Sequence, residues 1–194
     1  KILCLASGGG QQGPILAATG ADVTVFDNST KQLEKDNFVA LRDNLKIKTV
    51  QGNMQDLSAF KDETFDCIVH PWSNGYIDNV LPVWKECARV LKKNGLLLSG
   101  FGNPIEYIFD SGKIDQGILE VKYSIPYADI DHLDDPEIKQ IVESGGYIWS
   151  HTLEDQIQGQ IAAGFAIIGF YEDIGGTVLD NYINSSIATK AIKL

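Results

Sequence analysis

The sequence predicts an α/β fold built on a mostly parallel sheet. Three observations support this. Strand-like and helix-like stretches alternate through the first hundred residues. The strand-like runs are nearly continuous in Val, Ile and Leu, as expected for strands covered on both faces. Two late strand-like runs lie too close in sequence for a helical crossover, so they should pair antiparallel.

The elements follow in chain order. Strand patterns fall at 2–6, 22–26, 47–51, 65–70 and 96–101. A short helix fits 13–20, with Pro14 tolerable in its first turn. A second fits 29–44. Ser29 and Gln32 have capping-box spacing there, and Phe38, Leu41 and Leu45 share a face. A third fits 78–93. Leu81, Trp84, Ala88 and Leu91 form its apolar stripe, and Lys92, Lys93 and Asn94-Gly95 close it. Residues 103–150 mix turn signals, aromatics and acids, and predict a cap or insertion rather than a further repeat. A helix returns near Thr152. Thr152 and Asp155 are spaced as a cap, with Leu153, Ile157 and Ile161 on one face and Gly164 as the stop. Strands at 165–171 and 187–192 end the chain, joined through the Gly175-Gly176 turn region.

Bulk properties narrow the function classes. A chain of 194 residues with 44% hydrophobic content suits one globular domain. The net charge is −10, and only Arg42 and Arg89 among sixteen basic residues are arginine. Phosphate recognition favours clustered positive charge and arginine forks, so nucleic acid is not an expected partner. No run reaches the eighteen or so apolar residues of a membrane span, and no secretory leader opens the sequence. A chain that begins directly on a strand leads us to expect further residues before Lys1. Cys4, Cys67 and Cys87 show no metal-type spacing. They read as reduced core residues of an intracellular, cytoplasmic protein. The acids Asp129, Asp131, Asp134 and Asp135 do not fit a calcium loop. Counting from Asp129, position six is Asp134 rather than Gly, and position twelve is Gln140 rather than Glu. They are expected to form a solvated acidic face.

The first strand runs into Ala6-Ser7-Gly8-Gly9-Gly10-Gln11-Gln12-Gly13. Glycines at the mouth of a leading strand let the backbone approach a nucleotide-type cofactor closely. The second strand ends on Asp27, seventeen residues after Gly10. A carboxylate there can accept hydrogen bonds from both ribose hydroxyls. Since Ser29 supplies the helix cap, Asp27 is free for that role. The spacing also satisfies the dinucleotide pattern Gly8-x-Gly10-x-x-Gly13, so these residues alone leave a nicotinamide cofactor open.

At this point the chain resembles the class I S-adenosylmethionine-dependent methyltransferases, in particular their small-molecule, type 11-like branch. Leu3-Cys4-Leu5-Ala6-Ser7-Gly8-Gly9-Gly10 is similar to the first motif, L-D-L-G-C-G-x-G. Gly52-Asn53-Met54-Gln55-Asp56-Leu57 resembles the adenine-clamping segment, and Phe65-Asp66-Cys67-Ile68-Val69 the fourth strand. Arg89 to Leu98 resembles the pattern R-V-L-K-P-G-G-x-L. The resemblance implies a Rossmann-like three-layer sandwich with strand order 3-2-1-4-5-7-6 and an antiparallel last strand. It also implies S-adenosyl-L-methionine as cofactor. Ala6, Ser7, Gly8, Gly10, Asp27, Asn28, Asn53, Met54, Gln55, Asp56, His70 and Trp72 would then contact it. Two departures stand out. Cys4 replaces the usual strand-one acid, so backbone carbonyls near Ala6 are expected to hold the cofactor's amino group. Asn53 replaces the acid after strand three, which shifts weight to Asp56 as the adenine-amine acceptor, a residue that also fits a helix cap.

His70-Pro71-Trp72-Ser73-Asn74-Gly75-Tyr76 follows the fourth strand, where cofactor and acceptor would meet. His70 is the candidate general base, with a packing role as its alternative. Trp72, Tyr76, Tyr107 and Tyr123 are candidates to line the acceptor site, with Tyr127 beside them. The leading function is in-line methyl transfer to a small-molecule acceptor. An NAD(P)-linked oxidoreductase and a non-catalytic S-adenosylmethionine-binding module are the competing readings.

Overall fold

The computed structural model describes residues Lys1–Leu194. Seven strands form one sheet in the order β3-β2-β1-β4-β5-β7-β6. They are β1 (Ile2–Leu5), β2 (Val23–Asp27), β3 (Ile47–Gln51), β4 (Phe65–Pro71), β5 (Leu91–Gly102), β6 (Phe165–Asp173) and β7 (Ser186–Lys193). The first five pair in parallel, and β7 runs antiparallel between β5 and β6. Both the order and the antiparallel end match the sequence expectation.

Side-chain alternation divides the sheet's two faces. Leu3 and Leu5 enter the larger core with Ile68, Trp84, Leu91, Leu97 and Phe165. Cys4 turns to the other face with Val23, Val25 and Leu33. Helices α1 (Gln12–Ala18) and α2 (Thr30–Arg42) cover that second face. Helix α3 (Leu81–Val90) packs on the first, presenting Val83, Trp84, Cys87 and Ala88. All three cysteines are free thiols; Cys4 and Cys87 are fully buried and Cys67 partly so.

Three helical expectations need correction. Helix α3 ends at Val90 rather than Lys93, because Leu91 is already extended, fully buried and paired with Phe65. Lys92 and Lys93 therefore belong to β5, and Asn94 makes the turn at φ +63°. In α2 the buried residues are Leu33, Asp36 and Ala40, while Phe38 and Leu41 are exposed. That stripe carries Leu33 into the cluster with Cys4, Val23 and Val25, and Asp36 on it accepts the Gly9 amide at 2.8 Å. The helix after Thr152 opens with a π turn at Glu154–Gln158 before α6 (Gly159–Ala162). The wider turn changes the helical phase. Gln156, Gly159 and Gln160 become the buried residues, and Leu153 and Ile161 are exposed. The Thr152–Asp155 cap does form, with Asp155 N donating to Thr152 Oγ1 at 3.0 Å.

Residues 103–150 hold two short helices, α4 (Ser111–Ile114) and α5 (Pro136–Gly145), two 3-10 turns and two isolated bridges. Lys122 ties the segment together by pairing with both Asp110 and Asp135 at 2.8 Å. Asp129 departs from the expected solvated acidic face. It is buried, where it accepts bonds from the Tyr127 hydroxyl at 2.7 Å and the Ile148 amide at 2.8 Å. No group of three or more His, Cys, Asp or Glu side chains is arranged to hold a metal ion. No helix is long and apolar enough to cross a membrane.

Candidate active site

A cavity of about 940 Å³ opens beyond the C-terminal ends of β1, β2 and β4. In parallel α/β sheets this is where strand-end loops diverge and leave a crevice. Ala6 bends the chain at φ +46°, directly after β1. Gly8 follows, and a Cβ there would lie 2.9 Å from Asp27 Oδ2 and 2.8 Å from Gln32 Cβ, so only glycine fits. The Gly8 amide donates to Asp27 Oδ2 at 2.9 Å, and the Ser29 amide to Oδ1 at 2.8 Å. Asp27 is thus fixed in place at the cavity wall, with each oxygen retaining a further acceptor position.

A second carboxylate sits beneath the same loop. Asp36 is fully buried, and burial raises its pKa. Its Oδ1 and the buried Ser7 hydroxyl oxygen have no hydrogen-bond partner. Cys4, at the position of the missing strand-one acid, is pushed up to about 12 by burial and stays a neutral thiol. Sequence reading missed Asp36 because a lone acid in a helix looks like a solvent-facing residue.

Of the expected cofactor residues, Ala6, Ser7, Gly8, Asp27, Asn28, Asn53, Met54, Gln55 and Trp72 line the cavity. Three lie elsewhere. Gly10 packs on α2, within 3.1 Å of the Lys35 carbonyl by its would-be Cβ. Asp56 caps a turn by accepting the Ser58 amide at 2.9 Å, and lines a separate groove with Lys85, Glu86 and Arg89. His70 is fully buried. Its Nδ1 lies 2.9 Å from the Leu5 carbonyl and its Nε2 2.6 Å from the Asn74 side-chain oxygen. Burial lowers its pKa, against the two hydrogen bonds, which act to raise it. Both ring nitrogens face oxygens, and the Asn74 side chain is held in that orientation by its own Nδ2, which donates to Gln156 Oε1 at 2.8 Å. Neither nitrogen is left for a substrate proton, which gives His70 the packing alternative rather than the base.

The expected acceptor residues divide between two spaces. Trp72 and Tyr76 line both the large cavity and a smaller one of about 160 Å³, and Trp149 is shared as well. Tyr107 lines only the smaller space. Burial and the nearby Glu106, Asp129 and Tyr76 push its hydroxyl up to about 12, so it remains a proton donor. Tyr123 reaches neither; it packs against Tyr127 and His132. Residues missed in sequence include Ser73, which donates to the Ala6 carbonyl, and Gly146, Tyr147 and Trp149 from the far end of 103–150. Trp149 gives no local signal, because the Ala128–Trp149 bridge that places it is a tertiary contact.

The charge of the large cavity limits what it can hold. Among its 22 lining residues, Asp27 and Asp78 carry charge and no Lys or Arg is present. Such a wall favours a cationic ligand and opposes a pyrophosphate. The glycine approach and Asp27 suit the adenosyl part of either cofactor, and the absence of a basic side chain in the wall favours an adenosyl sulfonium over a dinucleotide.

Comparison with known proteins agrees. Residues 3–99 match a family described as a methyltransferase domain. The chain is 58% identical to the uncharacterized methyltransferase YbaJ of Bacillus subtilis over 195 aligned positions, covering all of this chain and 76% of that protein. Over 95 residues it is 28% identical to a ubiquinone biosynthesis O-methyltransferase of Vibrio parahaemolyticus, covering 49% of this chain and 40% of that one. An S-adenosylmethionine-dependent methyltransferase from Mesorhizobium loti superposes with TM-score 0.77 at 16% identity, covering 100% of this chain and 90% of the other. A Methanosarcina mazei methyltransferase superposes at 0.69 with 21% identity, covering 100% and 92%.

Proposed function

The chain belongs to the S-adenosylmethionine-dependent methyltransferases, and from that premise we propose that the large cavity takes the methyl donor while residues 103–150 close over a small-molecule acceptor. The observation that carries the cofactor assignment is the cavity wall with two aspartates and no basic side chain. When bound, the cofactor supplies a methyl group on a positively charged sulfur, and transfer discharges that sulfur.

The chain's own part is binding and alignment. Asp27, braced by the Gly8 and Ser29 amides, accepts from the ribose hydroxyls. Met54 would pack against the adenine, beside Asn53 and Gln55, whose side-chain amides are braced by each other and by Asp78 and Asn79. The Ala6 carbonyl, bonded to Ser73, keeps a second lone pair for the amino group. Trp72 presents its indole between the two cavities. Gly146, Tyr147 and Trp149 bring the end of 103–150 to the rim, which supports a covering role. The O-methyltransferase name of the Vibrio relative favours an oxygen acceptor. The three free thiols favour a reducing compartment such as the cytoplasm.

Calorimetric titration with S-adenosylmethionine and with NAD tests the reading. The methyl donor should bind, and Asp27→Asn should weaken it by about 1.5–3 kcal/mol, roughly tenfold or more in Kd. Binding of NAD without binding of the methyl donor overturns the proposal.

A further inference from the structure

We propose that the smaller cavity is an acceptor subsite for a single-ring aromatic hydroxyl, and that His151 takes the hydroxyl proton. The proposal rests on the methyl-transfer reading above and adds the acceptor's chemical class and its base.

The space measures about 160 Å³, below the ~300 Å³ of ordinary ligand pockets, which leaves room for one ring. Trp72, Tyr76, Tyr107 and Trp149 give it flat aromatic walls, and no Asp, Glu, Lys or Arg lines it. Such a site suits a neutral, planar guest. It adjoins the cofactor cavity through Trp72, Tyr76 and Trp149, which line both. Trp72 holds a strained φ of +50°, with its indole laid against the bare backbone of Gly100 and Gly102.

His151 lines this space and is 7% exposed. Its Nε2 lies 2.9 Å from the Asn74 carbonyl oxygen. A carbonyl only accepts, so Nε2 carries a proton, and Nδ1 is the ring position left to accept one. Nδ1 makes no bond to the protein and is not among the buried atoms sealed off without a partner. The chain has three histidines. His70 has both nitrogens engaged, and His132 packs among Tyr123 and Tyr127. Of the three, His151 is the one that lines this space. In the reaction the acceptor O–H proton moves to Nδ1. The oxygen's electron pair bonds the methyl carbon, and the pair of the broken carbon–sulfur bond remains on the departing thioether. Solvent then takes the proton from His151. Other titratable groups near the site are Tyr76 and Tyr107 in its wall, Glu106 behind Gly102, Asp129 behind Tyr107, and His70 across Asn74.

The test uses the full chain with S-adenosylhomocysteine and phenol as the probe. Long-range proton–nitrogen spectra of the three imidazoles should show His151 protonated on Nε2, identified by loss of its signals in His151→Gln. Adding phenol to the S-adenosylhomocysteine complex should shift the Nδ1 resonance. His151→Gln retains a donor for the Asn74 carbonyl. It should keep S-adenosylhomocysteine affinity in calorimetry while losing roughly 10²- to 10⁴-fold in kcat for phenol methylation. A proton on Nδ1, an Nδ1 signal unmoved by phenol, or full kcat in His151→Gln overturns the assignment. If phenol moves Nδ1 but S-adenosylhomocysteine does not bind, the subsite stands and the methyl-transfer reading fails.

Discussion

Asp27 and Asp36 reach the glycine loop from different elements and differ in their exposure to the ligand. Asp27 faces the cavity with both oxygens already held by backbone amides. Asp36 lies beneath the loop, gripping Gly9, and its second oxygen is unpaired. The carboxylate that the family resemblance places in β1 is absent here, and the buried carboxylate under the loop comes from α2 instead. Another acid gives a pH prediction. Burial and the Asp180 carboxylate push Glu106 up to about 7, from an ordinary value of 4.5. Folding then favours its protonated form. The stability tied to this group is full below about pH 4.5 and falls as pH rises to about 7. From about pH 5 to about pH 8 the Tm of the native chain should drop relative to Glu106→Gln. Parallel Tm curves for the two proteins would refute the assignment.

At the scale of elements, Arg89 shows a motif residue with structural work. It lies in the last turn of α3 and forks onto Glu86, with Nε and Nη2 at 2.8 and 2.7 Å. Its remaining donors reach the Leu57 and Phe60 carbonyls at 2.9 Å and Asp62 at 2.8 Å. The loop before β4 is thereby fastened to α3, just behind Met54 and Gln55. Lysine cannot reproduce a planar fork with five donors. Arg89→Lys should cost roughly 1–3 kcal/mol in denaturant unfolding, since two backbone carbonyls lose their partner. A loss below about 0.5 kcal/mol, the range of ordinary surface substitutions, would show that the fork adds little. The π turn at Glu154–Gln158 and α6 pack against α3 on the same face of the sheet. The turn aims Gln156 at Asn74 at 2.8 Å, and the Asp155 carbonyl accepts from the Trp84 indole at 2.9 Å. The helix thereby supports the 73–76 turn that shapes both cavities.

At the scale of the whole molecule, the sheet holds the site open and the cofactor should in turn stabilise the sheet. A ligand that binds only the folded chain adds about 2.7 kcal/mol at one hundred times its Kd. For a chain of this size that corresponds to a Tm rise of roughly 5–11 °C. S-adenosylhomocysteine should produce such a rise in thermal unfolding, and NAD none, because its pyrophosphate meets Asp27 and Asp78 with no basic partner. Equal protection by both ligands would mean that cavity charge does not select between them.

The sheet, the glycine turn and the acid at the end of β2 are legible from the amino-acid order alone. Each is written in local pattern: apolar runs of strand length, three successive glycines, an acid at a strand end. The inward faces of α2 and of the helix after Thr152 were decided only by tertiary structure. There the buried positions include Asp36, Gln156 and Gln160, while Phe38, Leu41, Leu153 and Ile161, to which apolar periodicity pointed, are exposed. A buried polar group must find its partner, and for Gln156 that partner, Asn74, lies 82 residues away in the chain. His151 and Trp149 were decided the same way, since only the folded chain brings them beside Trp72.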